Sequence, residues 1–375
     1  PTTLRPVWAE INLDNFRKNI EVINSLIPSS TQMIVVVKAN AYGIGLVQGS
    51  KAALEVPGVL GLAVATPDEA VKLRRASIDC GILVLGPVTS DATKVLTELG
   101  VSMTVASTEG IQSAENAGRA VGRKSKIHIK IDTGMGRTGF MIGHELQHGL
   151  DLLGECNHVE IEGLFTHFSA AETNEEYTRY QWSNFNLALE QVSRANIYPR
   201  YRHAANSAAI LTFPESHLDM VRPGIIMYGG YPDPSLAGKV SLYPVFSLKA
   251  RISHIKTVSP RTYIGYGMTY ETTRKTTIAT LPIGYADGFP RSLSNQGSVL
   301  IKGRRYPIAG RICMDQLMVD LGNAPDIHTG DLVTLIGQDG TESITLEEVA
   351  QLTGSVEEIL TGISPRVPRI YTRSE

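Results

Sequence analysis

The sequence predicts an α/β plus β protein: an N-terminal (β/α)8, TIM-like barrel over residues 1–240, then a mostly β C-terminal domain over 241–375. Three observations carry that reading. Apolar, strand-like runs recur eight times between residues 34 and 222. Amphipathic stretches of helical period separate most of them. After about residue 240 the texture changes to short alternating segments divided by Gly, Pro and Asn turns. A doubly wound parallel sheet is the alternative arrangement of the same strands.

Val7–Asn12 alternates like a strand, and residues 1–12 are expected to pair with the C-terminal domain. Asp14 is the expected cap of a helix from Asn15 that aligns Phe16, Ile20, Ile23 and Ile27 and stops at Pro28. The barrel strands are expected at Ile34–Val37, Leu60–Ala65, Ile82–Leu85, Val101–Val105, Ile127–Ile131, Val159–Thr166, Arg200–Ala204 and Leu218–Arg222. Thr66-Pro67-Asp68-Glu69 reads as a capping box, and a long helix is expected over Glu175–Ala195. The second region should hold strands at Leu248–Thr257, Thr276–Leu281, Ser298–Ile301, Tyr306–Ala309, Gln316–Asp320 and Leu332–Ile336, with a helix at Leu346–Leu352.

Composition narrows the function classes. At 375 residues the chain exceeds one ordinary core. With 42% hydrophobic residues, 19% charged residues and a net charge of −2, it is globular, and neither nucleic acid nor membrane is expected as its partner. Cys80, Cys156 and Cys313 are odd in number and widely spaced, which argues against a disulfide framework. None has a second Cys or a His at metal-ligand spacing, so no metal is expected. No apolar run reaches membrane-spanning length and the first residues show no secretory pattern, so a cytoplasmic location is expected.

The chemistry-bearing residues fall at strand ends. Four β-branched residues, Ile34-Val35-Val36-Val37, run directly into Lys38. A lysine leaving a low-dielectric strand has reason to lose its proton, and a neutral amine can add to a carbonyl. The same lysine could equally end the strand and extend to water. Lys130 and Arg137 belong to the run that ends the fifth strand, His167 to the end of the sixth, Asn206 and Ser207 to that of the seventh, and Arg222 with Gly224 and Ile225 to that of the eighth. In a barrel these all surround one mouth. A phosphorylated, electron-poor cofactor would use them well. Ser207, Tyr42 and the amides near Gly224 and Ile225 suit a phosphate, His167 can stack on an aromatic ring, and Arg222 can face a ring nitrogen.

Val37-Lys38-Ala39-Asn40-Ala41-Tyr42-Gly43 and Lys130-Ile131-Asp132-Thr133-Gly134-Met135-Gly136-Arg137 strongly resemble bacterial alanine racemase. So do His203-Ala204-Ala205-Asn206-Ser207, Tyr263-Ile264-Gly265-Tyr266-Gly267, Pro282-Ile283-Gly284-Tyr285-Ala286-Asp287-Gly288 and Gly310-Arg311-Ile312-Cys313-Met314-Asp315. The motifs are ordered as in that family from near Trp8 to Ile370. The resemblance implies a pyridoxal 5'-phosphate isomerase that interconverts L- and D-alanine, supplies D-alanine for peptidoglycan, and works as a homodimer with shared active sites. Lys38 would hold the cofactor and act as one base, with Tyr266 of the other subunit as the opposed base. A stereocentre inverts only if a proton leaves one side and another arrives on the opposite side. Because a free tyrosine has a pKa of about 10, Tyr266 needs cationic company, and His167 and Arg222 are the expected source. Tyr42, His167, Asn206, Ser207, Arg222, Gly224 and Ile225 would bind the cofactor. Arg137 and the Met314 amide would bind the substrate carboxylate, and Lys130 is expected to be carbamylated. Tyr285, Arg291, Arg311 and Asp315 would line the access channel.

Two departures stand out. The family's Tyr-Gly-His-Gly is here Tyr42-Gly43-Ile44-Gly45, which removes a polar neighbour but no primary role. Many members carry a tyrosine where this chain has Pro365, and its loss implies a wider pocket that accepts serine besides alanine. A related amino-acid decarboxylase and a non-catalytic carrier of the cofactor are the competing readings. The first lacks its glycine-rich loop here, and the second would lack everything after residue 240.

Overall fold

The computed structural model describes residues 4–372. Residues 1–3, the start of the expected N-terminal pairing, lie outside the described residues. Eight strands, Gln32–Val36, Val59–Val64, Gly81–Pro87, Ser102–Val105, Ser125–Lys130, Val159–Phe165, Tyr201–His203 and Met220–Val221, pair side by side in parallel. The last gap is bridged where Asp219 N donates to Arg202 O and Arg222 N donates to Ala205 O, so the sheet rolls into a nearly closed barrel. Each expected strand is present within two residues at either end.

Local chemistry accounts for the element boundaries. The first helix, Leu13–Leu26, is capped by Asn12, whose side chain accepts from Asn15 N at 2.9 Å; the expected cap, Asp14, lies inside the first turn and pairs with Arg17. Phe16, Ile20 and Ile23 of that helix are fully buried. The capping box at Thr66 and Glu69 is present, and the long helix covers Glu175–Arg194.

The C-terminal region is mostly β. One sheet runs in the order Arg304–Pro307, Ser298–Ile301, Leu332–Asp339, Phe246–Arg251, Val7–Asn12, Arg369–Thr372, with Glu342–Ile344 beside Leu332–Asp339. Val7–Asn12 therefore sits between two C-terminal strands, antiparallel to one and parallel to the other. The segment expected as one strand, Leu248–Thr257, is two. Ile252 N bonds Asp331 O and Ser253 N bonds Thr280 O, so the chain leaves the first sheet and enters a second, His254–Val258, Thr276–Leu281 and Leu317–Gly322. A short ribbon, Tyr263–Ile264 with Tyr270–Glu271, carries Tyr266 in its loop. The helices are Leu346–Thr353 and Val356–Gly362, the second unforeseen. No helix of the described residues is long and apolar enough to cross a membrane.

Candidate active site

The first barrel strand ends in a left-handed turn. Ala39, Asn40, Ala41 and Tyr42 have φ of 53°, 58°, 52° and 48°, and Gly43 follows at 84°. Left-handed backbone costs roughly 1–2 kcal/mol per L-residue, so four in succession persist only where the surroundings fix them. They do so here. Arg369 donates to Gly43 O at 2.9 Å, Tyr371 Oη donates to Ile44 O at 2.9 Å, and Asn40 Oδ1 accepts from Leu46 N. A Cβ on Gly43 would stand 2.1 Å from Leu360 O, so the helix Val356–Gly362 packs directly on the turn. The turn puts Lys38 and Tyr42 on the wall of a cavity of about 620 Å³ at the mouth of the barrel. Burial lowers the Lys38 amine below its ordinary value, Arg137 lowers it further, and Glu357 and Glu69 oppose the shift.

One side of the cavity is shaped for an anion. Tyr42 stacks on Tyr228 with ring centroids 4.5 Å apart, which aims its hydroxyl at Gly224. A Cβ at Gly224 would lie 2.8 Å from Tyr42 Oη and 3.6 Å from Ser207 Oγ, so the three line one small recess. Ser207 Oγ accepts from Gly224 N at 2.9 Å, and Asn206 caps the helix Ser207–Thr212 through Ala209 N. Ile225 opens the next short helix and also lines the cavity.

The opposite wall is cationic. Arg222 is 3% exposed and donates to the carbonyls of Thr166 and Ala204, to His203 Nδ1 at 2.8 Å, and to His167 Nδ1 at 3.3 Å. Burial and Arg137 pull it down to about 9, which leaves it fully protonated at neutral pH. His167 is held far below its ordinary value by burial first and then by Arg222, so its ring is neutral. Lys130, 4% exposed, donates from Nζ to Thr138 Oγ1 at 2.7 Å. Burial, then Arg137 and Arg222, lower Lys130 to about 8. Arg137 is positioned by its backbone: Asp132 accepts from the amides of Gly134, Gly136 and Arg137 at 2.9–3.0 Å, which fixes the loop.

All ten expected barrel residues, Lys38, Tyr42, Lys130, Arg137, His167, Asn206, Ser207, Arg222, Gly224 and Ile225, line this one cavity. The six from the C-terminal region do not. Tyr266 is 71% exposed, and Tyr285 and Met314 are exposed as well. They form a surface strip in which Tyr285 N bonds Cys313 O, Ala286 N bonds Met314 O, and Asp315 accepts from Arg366. The Arg311 guanidinium lies beside Gly267, next to Tyr266, and Arg291 is tied in through Ser294, whose Oγ accepts from Ile312 N. Glu357 and Thr361 line the cavity without having been foreseen, because their seven-residue helix carries too little periodicity to read. Pro365 is exposed and outside the lining. Among the described residues no three His, Cys, Asp or Glu side chains gather as a metal site.

Family models for the alanine racemase N-terminal and C-terminal domains match residues 11–232 and 245–371. An alanine racemase of Methanococcus maripaludis is 45% identical over 369 residues, covering 98% of each chain. The chain belongs to the alanine racemase family. Solved structures agree. Alanine racemases of Clostridium difficile and Bacillus anthracis, the latter with bound L-Ala-P, each superpose with a TM-score of 0.94 at 40% identity, covering 100% of this chain and 97% of theirs. The alanine racemase N-terminal match contains every barrel residue of the cavity, and the C-terminal match contains Glu357, Thr361 and the whole exposed strip.

Proposed function

We propose that the protein interconverts L- and D-alanine with pyridoxal 5'-phosphate, as a homodimer whose two active sites are each completed by the partner's exposed strip. The observation that carries this reading is the convergence on one cavity of Lys38, whose amine burial and Arg137 lower, with an anion recess and a buried arginine. The residues fit the cofactor. The recess beside Gly224 offers the Tyr42 and Ser207 hydroxyls as donors to a phosphate, with Ser207 Oγ held in place by the Gly224 amide. When bound, the cofactor supplies a carbonyl that condenses with amines and an electron-poor ring that accepts the electrons left when an α-proton departs.

The chain's own groups do the rest. Lys38, lowered by burial and by Arg137, holds the cofactor and then takes or returns a proton at Nζ. Tyr266 from a second copy acts on the opposite side of the substrate. Arg222 has donors only, so it would face a ring nitrogen of the bound cofactor without protonating it. Arg137 and the Met314 amide take the substrate carboxylate. Lys130, with a neutral fraction at neutral pH, is suited to carbamylation, and the resulting anion would orient Arg137. Since Pro365 stays out of the cavity lining, serine is accepted beside alanine. The expected cellular role is supply of D-alanine for peptidoglycan, in the cytoplasm.

Circular dichroism of L-alanine incubated with protein and cofactor tests the reading. Decay of the signal to zero supports it. A constant signal, or release of carbon dioxide from labelled substrate, overturns it.

A further inference from the structure

Behind the cavity floor, a file of buried polar side chains crosses the barrel interior. Arg222 Nη1 donates to His203 Nδ1 at 2.8 Å, and His203 Nε2 lies 2.8 Å from His128 Nδ1. His128 Nε2 stands 3.7 Å from Glu162 Oε2, within ion-pair range. Both histidines are buried, as is Arg222. Glu162 is half-buried and also accepts from Lys126 Nζ at 2.7 Å and from Ser102 Oγ.

Donor and acceptor logic gives this file a direction. A guanidinium only donates, so His203 must accept at Nδ1 and carry its proton on Nε2. That proton then points at His128 Nδ1, which obliges His128 to carry its own proton on Nε2, facing Glu162. Burial lowers both rings first and Arg222 lowers them further, while Glu162 partly opposes the shift at His128, so both favour the neutral form. The file therefore runs from a cation at the cavity to an anion at its far end.

The backbone is built around the same contacts. Ile127 pairs with Ile161 and His128 pairs with Gly163, so Glu162 is the extra residue of a bulge. A Cβ on Gly163 would come within 2.1 Å of His128 Nδ1. The bulge turns the carboxylate toward the file, and the glycine beside it leaves space for the ring. The hydrogen-bond partners of Arg222 are neutral carbonyls and rings, and a buried cation without a counter-charge is costly.

We propose that Glu162 is a positioning residue for Arg222, acting through His128 and His203 as the counter-charge that fixes both rings in the Nε2–H tautomer. Arg222 then presents its remaining donors to the cavity as a stationary cation. Neither Glu162 nor His128 touches the cavity. What Arg222 does to the cofactor rests on the proposed racemase reading; the tautomers do not.

Ring ¹⁵N spectra of histidine-labelled wild-type protein, with and without pyridoxal 5'-phosphate, test the file directly. Neutral Nε2–H rings at both positions are expected, and a protonated or Nδ1–H ring at either position overturns the proposal. In the holoenzyme, Glu162→Gln should lower kcat about tenfold, the scale of one lost charge-assisted hydrogen bond, with KM within about twofold. It should also move the pH midpoint of the cofactor's visible band, and Glu162→Asp should restore most of both. A Glu162→Gln enzyme that melts earlier yet keeps wild-type kcat and midpoint would reduce Glu162 to a structural role. Wild-type protein with the expected tautomers but no racemisation would remove the proposed activity and leave the file standing.

Discussion

Arg369, in the last described strand, donates through Nε to the carbonyl of Gly43, the residue that closes the left-handed turn after Lys38. The same guanidinium also bonds the carbonyls of Ile363, Ser364 and Val367. A planar fork of five donors can hold four carbonyls at once, which an ammonium cannot. The strained turn and the C-terminal segment are therefore one unit. Arg369→Met should destabilise the apoprotein by about 2–4 kcal/mol, since it strands several carbonyls and releases the turn. Urea unfolding measures the loss, and titration with pyridoxal 5'-phosphate should show weaker binding. Unchanged cofactor affinity beside a lower stability would separate Arg369 from the turn.

Lys130 makes a prediction about pH. Its folded value is about 8 against an ordinary 10.5. Below pH 8 both folded and unfolded chains hold the proton, so the whole burial cost, about 3 kcal/mol, weighs on the folded state. Between those values only the unfolded chain holds it, so stability climbs with pH. In carbon-dioxide-free buffer the wild type should gain stability from pH 8 to 10, and Lys130→Met should lack that gain. Bicarbonate at pH 8 should stabilise the wild type alone, through carbamylation. An equal response in both proteins would mean that Lys130 is neither strained nor modified.

The barrel was legible because its signals are local. Runs such as Ile34–Val37 and Ile82–Leu85 are apolar without interruption, and the polar residues at the strand ends reach the cavity because parallel strands all end at one mouth. What escaped is non-local. In Ala39-Asn40-Ala41-Tyr42 only Asn40 tolerates left-handed backbone readily, and the turn exists because Leu360, Arg369 and Tyr371 hold it from more than 300 residues away. The strand Arg369–Thr372 was missed because four residues carry little alternation; it forms by lying parallel to Val7–Asn12. Glu162 and His128 were passed over for a similar reason, since only the bulge brings them together.

Pro365 bears on substrate breadth. It lies outside the cavity lining, while Thr361 from the preceding helix lies within it. Pro365→Tyr would add a large side chain beside this region. The ratio of kcat/KM for serine to that for alanine should fall by about tenfold, the discrimination a pocket gains from roughly one small group of added bulk. Racemisation rates followed by circular dichroism on both amino acids give the ratio. An unchanged ratio would place the limit on substrate size elsewhere, with Glu357 the next residue to vary.

Lys38 and Tyr266 offer a test of the shared site. Lys38 lines the cavity, whereas Tyr266 stands 71% exposed on the strip and outside that cavity. If one site takes its lysine from one chain and its tyrosine from another, Lys38→Ala and Tyr266→Phe homodimers each lack a base at both sites. Each should lose at least about 10²–10⁴-fold in racemisation. Unfolding the two variants together and refolding them yields half heterodimers, each with one site made of two wild-type halves. The mixture should recover about a quarter of wild-type activity, a gain that only a two-fold interface with exchanged residues produces. No recovery, with dimers confirmed by sedimentation, would mean that each chain supplies both of its own bases.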